Sequence, residues 1–190
     1  METQTIKEKK KKQRITTTEL VYMALFVALT AICAWISIPT AVPFTLQTFA
    51  VFLSIGLLGT KRGSLTILVY IILGAIGVPV FAGFKGGPAA LFGVTGGYII
   101  GFLFSAIVTG LILSRFGKTI PVMALSMLVG LFVCYAFGTI WFMLLYTHNN
   151  GAISLWSTLS MCVLPYIIPD CIKITLAIFL TKKLTPFVKL

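Results

Sequence analysis

Six long apolar runs constrain the fold of this chain more than any other feature of its sequence. A membrane-spanning helix needs about 20 mostly apolar residues, because it must cross about 30 Å of hydrocarbon. The runs predict spans over residues 20–38, 44–59, 64–78, 93–114, 120–146 and 165–180. The second and third are short, so we expect helix tilt or local thinning of the bilayer there. The sequence therefore predicts an all-α integral membrane protein with six transmembrane helices.

The composition and the placement of charge agree with a membrane protein. Of the 190 residues, 58% are hydrophobic and only 10% are charged, and the mean hydropathy is +1.06. If both termini lie in the cytoplasm, thirteen of the 15 Lys and Arg residues fall on the cytoplasmic side, which is the usual bias of membrane proteins. Topology and contact with the anionic lipid bilayer thus explain the net charge of +11, and nucleic-acid binding is not expected.

The membrane domain is expected to occupy most of the chain. We predict a basic cytoplasmic tail over residues 1–18, a six-helix membrane domain over 19–184 and a short cytoplasmic tail over 185–190. A cleavable signal is not expected, because the lysine cluster leads directly into a full-length apolar run. A glycine-rich stretch over 77–101 is predicted as an extracellular loop between helices 3 and 4. We expect it to fold as a cap or re-entrant loop, since irregular backbone must be shielded from lipid.

Asp170 and Lys173 form the strongest candidate site. Asp170 is the only acidic residue after Glu19, and Lys173 follows it by one helical turn within the sixth predicted span. Charges inside a membrane are costly, at about 2.5 to 3.5 kcal/mol each on insertion scales, and they almost always face a cavity or a partner. Two interpretations stay open. The pair forms a polar ligand site that opens outward, or it is an internal ion pair that holds two helices together.

Three further features are candidates for binding. Lys85, the only basic residue on the predicted outer side, is either an anion-binding group or a solvated loop lysine. Gln47 offers an amide donor and acceptor to a ligand or to a neighbouring helix. Ala24 and Ala28 lie one turn apart, and such small residues allow close helix packing, either within the chain or against another membrane protein.

Catalysis and metal binding are not expected. The four cysteines are isolated in apolar sequence, which is typical of small buried side chains. The single histidine, His148, lies in a predicted outer turn, and the membrane contains no second carboxylate for paired acid–base chemistry. We therefore predict that the chain is not an enzyme and holds no metal and no cofactor.

Four motifs, taken together and in order, resemble a known family. They are PFTLQT (43–48), GVPVFAG (77–83), GVTGGY (93–98) and DCIK (170–173). This set resembles BioY, the family of biotin-specific S components of energy-coupling factor (ECF) transporters, over about residues 20–182. Val94 stands where the family usually has proline, and Pro169 stands where it usually has glycine. Lys85 replaces an arginine found in at least some members, which keeps the charge but loses the bidentate geometry.

The resemblance implies a function and a set of partners. It implies a multi-pass protein of the prokaryotic cytoplasmic membrane that captures biotin from outside. Energy would come from a separate ECF module, consisting of a T component and two cytoplasmic ATPases. The implied substrate-binding residues are Asp170, Lys173, Lys85, Gln47, Tyr98 and Trp141, and the implied docking residues are Ala24 and Ala28. Two other functions stay open: a non-catalytic assembly subunit with a structural Asp170–Lys173 pair, and a proton-coupled transporter of small molecules.

Overall fold

The computed structural model describes residues 15–188, and this part of the chain is mostly helical. The helices are α1 (Thr17–Trp35), α2 (Gln47–Ala75), α3 (Pro88–Leu91), α4 (Gly96–Phe116), α5 (Ile120–Asn150), α6 (Leu155–Cys162) and α7 (Leu164–Leu184). Two short strands, β1 (Ser37–Ile38) and β2 (Phe44–Thr45), pair antiparallel between α1 and α2. The predictions for residues 1–14 and 189–190 concern segments outside the described residues.

Five of the helices in the described part are long and apolar enough to cross a membrane: α1, α2, α4, α5 and α7. The chain is therefore a multi-pass, all-α membrane protein, as the apolar runs predicted. The count of elements differs from the six helices that were expected. Within residues 15–188 there are seven helices, because α3 and α6 are short additional elements and the second and third predicted spans form one continuous helical assignment.

Helix α2 folds back on itself at Gly59. This residue has φ 76° and ψ −179°, a conformation that glycine adopts without a steric penalty. Gln47 Nε2 donates a hydrogen bond of 2.7 Å to the hydroxyl of Tyr70, which is 23 residues away. In a straight helix these residues would lie about 34 Å apart at 1.5 Å per residue. Residues 47–58 and 60–75 are therefore antiparallel neighbours, and the turn lies at Gly59 with no separate loop around Lys61.

One end of the molecule, called here the basic end, collects the start of α1, the turn at Gly59 and the α4–α5 connection. Arg62 forms an ion pair of 2.5 Å with Glu19, and Glu19 also completes the capping box that begins α1. Lys118 donates a hydrogen bond of 2.6 Å to the carbonyl of Gly56, near the end of the first half of α2. Burial, and to a smaller extent the charge of Lys182, lower the pKa of Lys118.

The opposite end contains the glycine-rich stretch, which is more ordered than the predicted loop. A 3₁₀ turn over Ala82–Phe84, an isolated bridge between Phe81 and Lys85, and α3 precede α4. The stretch is fixed to α1 by Trp35, whose indole N–H donates to the carbonyl of Pro79 at 2.9 Å and whose ring stacks on Phe84 at 5.1 Å. The last six residues of the predicted loop belong to α4.

Helices α4 and α5 pack closely because glycines lie at their contact. A Cβ on Gly97 would lie 2.3 Å from Trp141 Cβ, and a Cβ on Gly138 would lie 2.2 Å from the ring of Tyr98. Distances this short leave no room for a methyl group. The close approach brings α5 side chains up to the polar residues of α2 and α7.

Candidate functional site

A cavity of about 630 Å³, including its open mouth, lies between the β1–β2 hairpin and helices α2, α4, α5 and α7. Most of its wall is apolar or aromatic, and a few polar groups converge on one side. Of the predicted binding residues, Asp170, Lys173, Gln47 and Tyr98 line it.

Helix α7 carries the charged pair into this wall. Asp170 and Lys173 are only 3% and 6% exposed, and Lys173 Nζ lies 2.8 Å from Asp170 Oδ1. Lys173 also donates a hydrogen bond of 2.6 Å to the carbonyl of Thr45 in β2, and its ammonium lies 4.2 Å from the centroid of the Phe44 ring. The pair is thus a buried, hydrogen-bonded unit on one face of α7 that links this helix to the hairpin.

Two hydroxyl groups complete the surroundings of the Asp170 carboxylate. Thr48 Oγ1, in the first turn of α2, donates to Oδ1 at 2.9 Å. The Tyr135 hydroxyl, on α5, donates to Oδ2. Three helices therefore bind one carboxylate, and these hydrogen bonds stabilise its buried negative charge. In the sequence, Thr48 was considered only as the last residue of the PFTLQT motif, and Tyr135 was not predicted.

Gln47 is buried in a short chain of hydrogen bonds. Its Nε2 donates to the Tyr70 hydroxyl, which donates in turn to the carbonyl of Val80 at 2.9 Å. Its Oε1 accepts a hydrogen bond of 3.0 Å from Thr45 Oγ1. Gln47 therefore joins the two halves of α2 to the hairpin and to the glycine-rich stretch while it also lines the cavity.

The two predicted aromatic residues have different positions. Tyr98 lines the cavity from α4, and its hydroxyl lies 3.2 Å from Thr139 Oγ1. Trp141 lies outside the lining. Its indole N–H donates to the carbonyl of Gly93 at 3.0 Å, and its side chain packs against Gly97, so that it supports the start of α4. Trp141 fixes the position of the Tyr98 helix and does not face the cavity.

Lys85 is exposed and lies outside the cavity lining. Its carbonyl accepts a hydrogen bond of 3.0 Å from the Phe81 N–H, and nearby Ala82 does line the cavity. Within residues 15–188 the ammonium group makes no hydrogen bond or ion pair. The structure therefore places this charge near the cavity but not in contact with Asp170 or Lys173.

The cavity mouth is crossed by the hairpin. The Tyr166 hydroxyl on α7 donates to the carbonyl of Val42 at 2.5 Å and lies 2.8 Å from Thr40 Oγ1. These contacts tie the turn between β1 and β2 to the helix that carries Asp170. Tyr166 was not predicted, because nothing in the order of residues connects it with a turn more than 120 positions earlier.

The structure also shows where the predicted docking residues lie, and where the residues that differ from the family motifs lie. Ala24 and Ala28 are exposed on the outward side of α1, whereas Ala31 is buried. Val94 packs partly buried against the core. Pro169 lies inside α7, directly before Asp170, and the helix continues through it. In the described part of the chain, no group of three or more His, Cys, Asp or Glu side chains could hold a metal ion.

Comparison with known proteins agrees with the four sequence motifs. The model of the BioY family matches residues 7–190. The chain belongs to the BioY family. A probable biotin transporter BioY from Pyrococcus horikoshii is 44% identical over 167 residues, and the biotin transporter BioY from Thermotoga maritima is 40% identical over 167 residues. Each alignment covers 87% of this chain and 95% of the relative.

The BioY fold is also found in a solved structure. A crystal structure of the S component for biotin from an ECF-type ABC transporter superposes with a TM-score of 0.76 and 29% sequence identity. The match covers 87% of this chain and 89% of that chain. BioY proteins are transporter subunits, so the absence of a catalytic role agrees with the family. This BioY chain therefore has both the fold of that structure and the family motifs that line the cavity.

Proposed function

We propose that this BioY chain is a substrate-binding S component that captures biotin from outside the cell for import. One observation carries the proposal: a buried Asp–Lys turn lines a cavity whose wall is otherwise mostly apolar or aromatic. Biotin has a cyclic urea with two N–H donors and one carbonyl, an apolar thioether ring and a terminal carboxylate. Asp170 supplies acceptors, Lys173 supplies donors, and the apolar wall suits the ring system.

The remaining predicted residues have supporting roles in this proposal. Tyr98 packs against the ring system, and Gln47 orients the hairpin while it keeps an amide N–H for the ligand. Trp141 acts indirectly, by holding the start of α4. Lys85, or backbone N–H groups of residues 82–87, receives the ligand carboxylate when the hairpin and the glycine-rich stretch close over the cavity.

The proposed topology has both termini in the cytoplasm of a prokaryotic cell. Counted separately, the two halves of α2 bring the number of membrane passes to six, and the basic end then faces the cytoplasm, as the positive-inside rule requires. The T component of the ECF module would dock on the exposed face of α1, against Ala24 and Ala28. The two ATPases of the module would lie on the cytoplasmic side, below the T component.

Titration of the purified chain with biotin, and with desthiobiotin, tests the proposal. We expect submicromolar binding of biotin, with one site per chain. Desthiobiotin keeps the cyclic urea and the carboxylate but lacks the sulfur, so it should bind at the same polar groups. Binding of biotin weaker than micromolar would contradict the proposed function.

A second function, a non-catalytic assembly subunit, is favoured by one observation: the Asp170–Lys173 pair is already bound by protein groups. In that case the pair only joins α7 to the hairpin. The Asp170→Asn variant distinguishes the two functions. A structural pair predicts fewer folded molecules with unchanged affinity per folded molecule, whereas a binding pair predicts weaker affinity in the folded fraction.

A further inference from the structure

The Asp170 carboxylate has almost no free hydrogen-bonding capacity. A carboxylate has about four acceptor positions, two on each oxygen. Oδ1 accepts from Lys173 Nζ at 2.8 Å and from Thr48 Oγ1 at 2.9 Å, so both of its positions are filled. Oδ2 accepts from the Tyr135 hydroxyl. One acceptor position therefore remains, on Oδ2.

Tyr135 has an unusual place among these donors. It is half-buried, lines the cavity and belongs to α5, whereas every other partner of Asp170 lies on α2 or on α7 itself. Its bond to Asp170 is the only hydrogen bond that joins α5 to α7 in the described residues. The hydroxyl therefore fixes the orientation of Oδ2 relative to the cavity wall formed by α4 and α5.

We propose that Tyr135, together with Thr48, is a positioning residue for ligand binding: its hydroxyl orients the Asp170 carboxylate and leaves a single acceptor position, on Oδ2, for one ligand N–H. This inference rests on the proposed function. It makes that function more specific, because a urea ring then presents only one of its two N–H groups to Asp170.

Lys173 has a matching restriction. Two of its three N–H donors are bound to Asp170 Oδ1 and to the carbonyl of Thr45 at 2.6 Å. The third makes no hydrogen bond within the described residues and lies near the face of the Phe44 ring, so it can donate to a ligand carbonyl. The Asp–Lys turn thus offers one acceptor and one donor side by side. It recognises one N–H and the adjacent carbonyl, which is one edge of a cyclic urea or lactam.

The test is a calorimetric titration with biotin of three full-length variants. Tyr135→Phe removes the hydroxyl and keeps the ring, and Thr48→Val removes the matching donor from Oδ1. Tyr146→Phe, on the same helix but away from the cavity, is the control. We expect Tyr135→Phe and Thr48→Val each to weaken the affinity about tenfold to a hundredfold, as for a lost hydrogen bond to a charged group. The control should stay within about twofold of the unsubstituted chain.

The titration also separates a positioning role from a structural one. A structural role lowers the number of sites per chain and leaves the dissociation constant of the folded fraction unchanged, whereas a positioning role raises that constant. In the Asp170→Asn background the effect of Tyr135→Phe should fall below about twofold, because the group through which it acts is gone. An unchanged dissociation constant for Tyr135→Phe, or an equal loss in both backgrounds, would overturn the inference. If the unsubstituted chain binds no biotin, the proposed function fails and this inference fails with it.

Discussion

Two ion pairs among residues 15–188 have surroundings that differ in an instructive way. At the basic end, the side chains of Arg62 and Glu19 are 32% and 12% exposed, and Glu19 also caps α1. On the cavity wall, the side chains of Lys173 and Asp170 are 7% and 4% exposed, and two hydroxyl groups add further hydrogen bonds to the carboxylate. The Arg62–Glu19 pair is explained by local structure, because Glu19 caps α1. The second has more partners than an ion pair needs, and it faces a cavity.

The comparison of the two ion pairs shows that burial alone does not identify a binding site. A buried pair costs desolvation energy, and replacing it with apolar residues is often neutral or stabilising. The cost of burying Asp170 and Lys173 on the cavity wall is explained if a ligand binds to them. At the basic end, the Arg62 side chain is about one-third exposed, which lowers that cost, and capping of α1 accounts for Glu19.

The Lys173→Met substitution should separate the two pairs most strongly. It leaves the Asp170 charge buried without its partner, which typically costs about 3–5 kcal/mol of stability. Thermal unfolding in detergent, followed by near-UV circular dichroism, measures the loss. Arg62→Met is the matched control, and we expect a smaller loss because Glu19 keeps its hydrogen bond from the Thr16 N–H. Equal losses would show that the two pairs are equivalent.

The Asp170→Asn substitution tests binding at the same place. We expect biotin affinity to fall by about 2–5 kcal/mol, as when one partner of a desolvated charged contact is removed. Glu19→Gln, which neutralises the acid of the other pair, should leave the affinity unchanged. Isothermal titration of both variants makes the comparison. An unchanged affinity for Asp170→Asn would remove this residue from the site.

The Gly59→Ala substitution perturbs the basic end without touching the cavity. Gly59 has φ 76° and ψ −179°, a conformation that costs an L-residue about 1–3 kcal/mol. We expect a lower unfolding temperature with unchanged biotin affinity in the folded fraction. A change in affinity would mean that the turn and the cavity are coupled, contrary to the separation of the two ends.

The Lys85→Ala substitution should have the smallest effect. Lys85 is exposed, so a contact with the ligand carboxylate should contribute at most about 1 kcal/mol and should weaken with added salt. Biotin and its neutral amide can be titrated against both proteins. The substitution should weaken binding of biotin and leave binding of the amide unchanged, with Lys61→Ala as the control. Equal effects on both ligands would show that Lys85 does not bind the carboxylate.

The charged pair could be predicted from sequence because its signal is local. Asp170 and Lys173 are three positions apart, and charge is rare in apolar sequence, so their shared helix face followed directly. The membrane class and most helix bounds were likewise predictable from apolar runs. Gly59 was part of the second predicted span. Its role as the point of reversal depends on a positive φ that the sequence does not display.

The rest of the site depends on contacts between distant segments. Tyr135 meets Asp170 across 35 positions, and Tyr166 meets Val42 across 124. A tyrosine in an apolar run is compatible with a lipid-facing, a packed or a cavity-lining position. The sequence alone does not indicate which of the three positions it has. Trp141 shows the converse. It was predicted to contact ligand, and in the structure it packs against Gly97 outside the cavity lining, a position that the sequence does not reveal.

The proposed function requires that this cavity holds biotin and that Asp170 recognises it. Native mass spectrometry of the chain purified from cells supplied with biotin measures this without a titration. We expect a complex with one biotin per chain for the unsubstituted protein and for Glu19→Gln, and ligand-free protein for Asp170→Asn. A folded, ligand-free unsubstituted chain, or biotin retained equally by Asp170→Asn, would contradict it.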